Sequence, residues 1–285
     1  MSKKKNSSVG VILLIIIILT ALFFVIKSSV RQVSAETITP KKAGRMYLFV
    51  NFQEEDDYYN NGPSRGKIKA RLEQASGERC LVIPYQQLNM SLVEEFKPLA
   101  IVMSGFPRLG KPEGYKGVAE VLEKSNIPML CFCGSHQLIE GCLTYGYGKY
   151  GYGKPKRWRP LPIRRISPDE DFPRVARSKT SNISLYFVAS GFFPIKRIKD
   201  DPIFNGLPEL MVMKCAHFCE IKTLPADFDL LASSGHSEIA MIKHKSRTLY
   251  GTQFHPEAYS EPWLDGKILL DNFAIIVKKY WEEKK

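Results

Sequence analysis

Hydrophobic and polar positions alternate along this chain in two distinct ways. Residues 9–26 (VGVILLIIIILTALFFVI) form an uninterrupted apolar run without a charge. That length reaches the lower edge of a bilayer-spanning helix and exceeds a usual signal-peptide core. Beyond residue 45, short apolar runs alternate with amphipathic stretches. Strands are expected at Met46–Phe52, Cys80–Ile83, Leu99–Met103 and Met129–Phe132, with helices at Lys67–Ser76, Ser91–Phe96, Gly114–Lys124 and from Gly134 to Gly141. Apolar strands separated by helices predict a parallel sheet covered on both faces. The second half changes character. Strand-like runs at Leu185–Val188, Leu210–Lys214, Leu230–Ser233, Ile239–Lys243 and Thr248–Phe254 follow one another closely, and a final helix covers Leu264–Trp281. The predicted fold is therefore α/β: a mostly parallel central sheet flanked by helices, with added antiparallel strands and one N-terminal transmembrane helix. The expected organisation is a basic tail (1–8), an anchor or signal segment (9–26), a linker (27–45) and one domain (46–285).

Charge refines the reading of the N-terminus. Lys3, Lys4 and Lys5 precede the apolar run, and Lys27 and Arg31 follow it. The heavier positive flank keeps the N-terminus in the cytoplasm and sends the domain outward. Val33-Ser34-Ala35 resembles a small-residue cleavage site but lies far from the run. An uncleaved anchor is the expectation, with secretion after cleavage near Ala35 as the alternative. Overall, 41 Lys+Arg against 29 Asp+Glu give a formal charge of +12. The excess is spread out, with clusters at Ser2–Lys5 and Lys154–Arg165, and no nucleic-acid motif surrounds either. A membrane-proximal role is expected, and no nucleic-acid partner. The 154–165 loop (Lys154, Lys156, Arg157, Arg159, Arg164 and Arg165 around Trp158) is a candidate surface for an acidic partner, against the plainer reading of a solvated basic loop. Tyr145–Gly153 reads as a Tyr/Gly loop.

Six cysteines in so long a chain do not make a disulfide framework. Cys131-x-Cys133 and Cys215-x3-Cys219 could pair as four thiols, but C-x-C lacks the usual knuckle spacing, so no metal is expected. Cys133 has another use. In PMLCFCGSHQ (128–137) an apolar strand stops at small residues that open a helix. That is the strand–turn–helix form of a nucleophile elbow, with Cys133 at a helix N-terminus where the thiolate is favoured and the N–H of Gly134 faces an oxyanion. A buried cysteine at a strand end is more often plain filler. A second segment, GTQFHPE (251–257), ends another apolar run and offers a base, His255, with an orienting acid, Glu257, held across Pro256.

Together these segments resemble the class I, triad-type glutamine amidotransferases, a flavodoxin-like family. Its nucleophile strand reads roughly P-x-x-G-x-C-x-G-x-Q and its closing motif G-x-Q-F-H-P-E. Residues 101–107 (IVMSGFP) resemble the family's S-G-G-P loop, and 204–208 (FNGLP) and 215–221 (CAHFCEI) its later strands. The resemblance implies Cys133 as nucleophile, His255 as general base and Glu257 as its orienter. It also implies Gly105 and Gly134 as oxyanion positions, Gln137 at the substrate's amino-acid end, and His217 bordering the glutamine pocket. Cys131 and Ser135 stand where the family has glycine, which predicts a strained elbow. Phe106 replaces the second glycine of the loop and would narrow the pocket, and Cys219 stands where many members have Asp.

The implied activity is hydrolysis of glutamine or a γ-glutamyl amide through a γ-glutamyl thioester, without metal or organic cofactor. The chain closes at Lys285 with room for one helix after Glu257, and the outward topology disfavours an ATP-dependent partner, so a stand-alone hydrolase is expected rather than an ammonia donor. The alternatives are a catalytically silent binding or scaffold protein at the membrane, motivated by the departures, and a basic interaction module.

Overall fold

The computed structural model describes residues 44–52, 62–105, 112–144, 161–162, 189–217, 219–221 and 223–285. The apolar run 9–26, Phe106, the strand expected at Leu185–Val188 and all of the 154–165 loop except residues 161–162 lie outside them. Among the described residues no helix is long and apolar enough to cross a membrane.

The order is β1 (Tyr47–Asn51), α1 (Gly62–Ser76), β2 (Cys80–Pro84), α2 (Met90–Phe96), β3 (Ala100–Met103), α3 (Lys116–Lys124), β4 (Met129–Phe132), α4 (Gly134–Leu143), β5 (Leu161–Pro162), β6 (Ala189–Arg197), β7 (Leu210–His217), β8 (Cys219–Glu220), β9 (Phe228–Ser234), β10 (Ser237–His244), β11 (Leu249–Thr252) and α5 (Asp265–Glu282). Nine strands make one sheet in the order β2-β1-β3-β4-β11-β10-β9-β6-β7. The half from β2 to β11 is parallel. From β11 to β7 every pairing is antiparallel. This is the mixed sheet expected from the apolar runs.

β1, β3, β4 and β11 are buried along their whole length, the edge strand β2 only in part, and their residues divide between two cores. Tyr47, Phe49, Val102, Leu130 and Phe132 face one side, against Leu72 of α1 and Leu269, Leu270, Phe273 and Val277 of α5. Leu48, Val50, Ile101, Met103, Met129 and Cys131 face the other, against Val93 of α2, Val118 and Leu122 of α3, and Leu138 and Ile139 of α4. Continuous apolar strands thus reflect a sheet with a helical layer on each side.

Three strands, β5, β6 and β8, escape the sequence pattern. β6 contains Gly191 at φ 144° and Pro194. Both are tolerated because β6 pairs with β9 only at Lys196 and Arg197 and elsewhere has β7 alone as partner. The short β5–β8 ladder sets Leu161 against Glu220 and Pro162 against Cys219.

Helix α4 packs closely on β11, and Gly251 makes that possible. A Cβ there would lie 2.5 Å from Nδ1 of His136 and 2.9 Å from Cδ1 of Ile139. Replacing Gly251 with Ala is expected to destabilise the domain by about 2–3 kcal/mol, as overpacking of a rigid core does. Urea unfolding compared with wild type measures it; an unchanged midpoint would show that α4 can retreat.

Candidate active site

Three adjacent parallel strands deliver the site from their C-terminal ends. β3 runs into Ser104-Gly105, β4 into Cys133, and β11 into Gln253–Glu257. In open α/β sheets this edge is where ligands bind.

Cys133 is the hinge between β4 and α4. Its backbone sits at φ 50°, ψ −104°, and among described non-glycine residues it shares positive φ only with Lys97. Such a conformation costs of the order of 1–3 kcal/mol and persists only where its surroundings over-determine it. Here they do. The Cys133 N–H donates to the Thr252 carbonyl at 2.6 Å, and the Ser135 hydroxyl reaches the carbonyls of Met103 at 2.8 Å and Phe132 at 3.0 Å. The strain expected at positions 131 and 135 falls on Cys133 itself. Ser135 instead ties the elbow to β3, and Cys131 is a core residue whose thiol is pushed well up by burial.

His255 follows β11, and its N–H donates to the Lys214 carbonyl of β7 at 2.7 Å. Its Nδ1 meets Glu257 Oε1 at 2.7 Å, the two lying on one single-turn 3-10 segment, Pro256–Ala258, and its approach. Its ring lies beside the Cys133 side chain: a Cβ built on Gly105 would be 3.3 Å from His255 Cε1 and 3.5 Å from Cys133 Sγ. Burial alone would lower the imidazole pKa. The Glu257 carboxylate and then Cys133 outweigh it, through charge and hydrogen bonds, so the net shift is well above the ordinary histidine value. The imidazolium is thus held between an acid and a sulfur. Gly105 closes the cluster: a Cβ there would lie 3.1 Å from Cys133 Cβ and 3.3 Å from His255 Cε1. Gly134 is the first residue of α4, where a backbone N–H has no partner within the helix.

Gln137 and His217 lie around the same centre. Gln137 is buried and spends both amide protons inside the protein, on the Cys219 carbonyl at 2.9 Å and on Gln253 Oε1 at 3.1 Å. That fixes the orientation of the Gln253 amide, whose Nε2 then faces Cys133 Sγ at 3.7 Å. The Ala216 carbonyl stands 4.0 Å from the same sulfur. His217 is buried with Nδ1 3.1 Å from the Cys219 carbonyl. Burial brings its pKa down to about 4, with His255 and His236 adding to the shift.

The structure brings together Cys133, His255, Glu257 and Gly105, and places Gly134, Gln137 and His217 beside them. Sequence reasoning missed Gln253, although it lies inside the motif that identified His255. It also missed His136, a fully buried residue with Nε2 3.2 Å from the Ile239 carbonyl and no partner for Nδ1. Burial drives its pKa down to about 3. Among the described residues no group of three or more His, Cys, Asp or Glu side chains could hold a metal ion.

The α/β sheet thus carries a strained cysteine elbow beside a His–Glu pair at the C-terminal ends of its parallel strands. Residues 66–277 match the family model described as glutamine amidotransferase class-I, and the chain belongs to that family. Among similar curated proteins is the glutamine-hydrolyzing GMP synthase subunit of Methanobrevibacter smithii, 28% identical over 67% of this chain and 80% of that protein. Its counterpart from Pyrococcus furiosus is 31% identical over 65% of this chain and 78% of its own. The crystal structure of a putative GMP synthase subunit from Thermoplasma acidophilum superposes with TM-score 0.58, at 21% identity, covering 85% of this chain and 99% of that one. The acivicin-bound CTPS glutaminase domain of Trypanosoma brucei also gives 0.58, at 16% identity, over 82% and 94%. These two structures share the fold.

The buried histidines give the domain an acid-sensitive stability. His136 and His217 are depressed from about 6.5 to about 3 and about 4, so the unfolded chain binds their protons first. Their neutral forms support the fold above about pH 6.5, and that support is lost as pH falls towards those values. His255 has the opposite sign: its raised pKa favours the fold below about 6.5, and the contribution fades as pH rises through the folded value. Melting temperature is expected to fall between pH 7 and pH 4.5, and to fall less in His136→Gln. Parallel curves for the two proteins would show that His136 titrates normally.

Proposed function

We propose that this protein hydrolyses glutamine or a closely related γ-glutamyl amide through a thioester on Cys133. The observation that carries this reading is the cluster of Cys133, His255 and Glu257 at the C-terminal edge of the sheet, with His255 hydrogen-bonded to Glu257 and Gly105 packed against both reacting side chains. The reaction follows from those contacts. The Cys133 thiolate attacks the γ-carboxamide carbon, and the carbonyl oxygen takes the electron pair. The backbone N–H groups of Gly134 and Gly105 are assigned to that oxyanion, where one such donor is worth about 10²–10³ in rate. Collapse expels ammonia, which takes its proton from the His255 imidazolium. Neutral His255 then draws a proton from water, hydroxide attacks the thioester, and glutamate leaves as the thiolate re-forms. Glu257 holds the ring and favours its charged form throughout.

Similarity to glutamine-hydrolysing subunits supports glutamine as the amide. Their designation as subunits favours a second reading for the ammonia, in which a partner consumes it. We assign residues 9–26 to an anchor that holds the domain outside the cytoplasm, because of the lysines on its N-terminal flank. A reporter fused after Lys285 tests this topology: activity only in the cytoplasm would overturn it.

Turnover is tested by ammonia release from glutamine and a panel of γ-glutamyl amides, comparing the full chain with Cys133→Ala. Release is expected from glutamine, falling at least about 10³-fold in the variant. A γ-glutamyl electrophile should label Cys133 and none of the other five cysteines: all six are buried, and Cys133 is the one set beside His255 and Gly105. Absence of both turnover and labelling in folded protein would replace this reading with that of a silent binding protein.

A further inference from the structure

We propose that Arg71 is a positioning residue of the active site, acting through the backbone of the turn that carries Glu257. Arg71 lies on α1, far from the catalytic residues in sequence, and nothing in the cysteine or histidine motifs points to it. The structure sets its guanidinium on that turn in three ways. Nη1 donates to the Glu257 carbonyl, Nη2 donates to the Tyr259 carbonyl at 2.6 Å, and the guanidinium carbon sits 3.7 Å from the centre of the Tyr259 ring. A planar fork that grips two carbonyls while stacking on an aromatic ring holds both position and orientation, which a lysine cannot reproduce.

The segment held this way is buried and is restrained by several neighbours, of which Arg71 is the one that grips the carbonyls of Glu257 and Tyr259. Pro256–Ala258 is a single 3-10 turn, too short to be rigid by itself. On its N-terminal side the His255 N–H is anchored on Lys214 of β7. On another side α5 presses against it at Gly266, where a Cβ would lie 2.3 Å from the Pro256 carbonyl oxygen. Arg71 supplies the restraint at Glu257 and beyond. The Glu257 side chain has one oxygen on His255 and the other buried without a hydrogen-bond partner. Its orientation therefore depends on where the backbone puts it. The groups facing His255 are Glu257, Cys133 and, at longer range, His217. Of these, Glu257 makes the largest contribution to the raised imidazole pKa. Arg71 thus acts on the reacting pair at one remove: it holds the carbonyls, the turn holds the carboxylate, and the carboxylate keeps the imidazole charged and aimed at sulfur.

The kinetic arm of the test rests on the glutamine-hydrolase reading; the chemical arm does not. In the full chain, Arg71→Met keeps the apolar stem and removes the fork, and Arg71→Lys keeps the charge with one bond at a time. Iodoacetamide alkylation of Cys133, followed by peptide mass spectrometry from pH 5 to 10, reads the thiolate–imidazolium pair without any amide substrate. Alkylation at pH 7 is expected to slow in Arg71→Met by on the order of tenfold to a hundredfold, the cost of a small displacement of a catalytic group. Arg71→Lys should fall between Arg71→Met and wild type. With glutamine, kcat should fall by a similar factor while KM stays within about twofold, and the alkaline limb of kcat/KM should move to lower pH. Added guanidinium ion should restore part of the rate in Arg71→Met. Alkylation and its pH profile unchanged in folded Arg71→Met would overturn the proposal. So would a loss confined to KM, or misfolding of both variants, which would make Arg71 a residue of the fold alone. Altered alkylation with no glutamine turnover in wild type would uphold Arg71 and reject glutamine as substrate.

Discussion

The turn at Cys133 is the constraint on which the site depends. A β-strand ending against a helix start leaves one residue to reverse the chain, and here that residue is not glycine but the nucleophile, at φ 50°. The cost of that conformation is offset by neighbours on two strands: the Thr252 carbonyl of β11 takes the Cys133 N–H, and the Met103 carbonyl of β3 takes the Ser135 hydroxyl. Since β3, β4 and β11 are adjacent in the sheet, the same backbone register that builds the core also sets the spacing between Gly105, Cys133 and His255. Fold and chemistry share one set of hydrogen bonds, and a shift of β4 against either neighbour would disturb both.

Electrostatics then divides the titratable groups into those that are silenced and one that is activated. Cys131, Cys215 and Cys80 are buried, which keeps their thiols protonated, and Cys215 is pushed up to about 12. His136 and His217 are buried and neutral. His255 is less deeply buried, its side chain 18% exposed, and it is driven the other way because Glu257 and Cys133 face it with negative charge or lone pairs. Desolvation pulls all three imidazoles down, and the partners decide the sign. A carbonyl oxygen, as at His217 and His136, accepts a proton without favouring the cation enough to offset desolvation. A carboxylate at 2.7 Å does.

How much of this was legible in the sequence depends on the range of the interaction. The parallel half could be read from continuous apolar runs because every residue of β1, β3, β4 and β11 is buried, whichever face it takes. β6 could not, because Gly191 and Pro194 break the pattern and only a half-paired position excuses them. Cys133, His255 and Glu257 were legible because each ends an apolar run inside a compact local motif. A strained elbow was legible from Cys131 and Ser135, but not that the strain sits on Cys133 or that the Ser135 hydroxyl finds its acceptor on another strand, at Met103. Gln253 sat in plain view within the motif, but its importance comes from Gln137, which turns the Gln253 amide nitrogen towards sulfur.

Arg71 marks the far end of that scale. No periodicity, spacing or composition connects α1 with a turn beyond β11, and the residue reads in sequence as one more cation on a helix. Its partners are backbone carbonyls, which carry no signature of their own. Only the folded sheet, with α1 and α5 on one face, brings the guanidinium to the Glu257 turn. The general consequence is physical. Groups that react must be particular side chains and so leave a trace in sequence, whereas groups that hold them in place can bind any main chain and become visible only when the chain has folded.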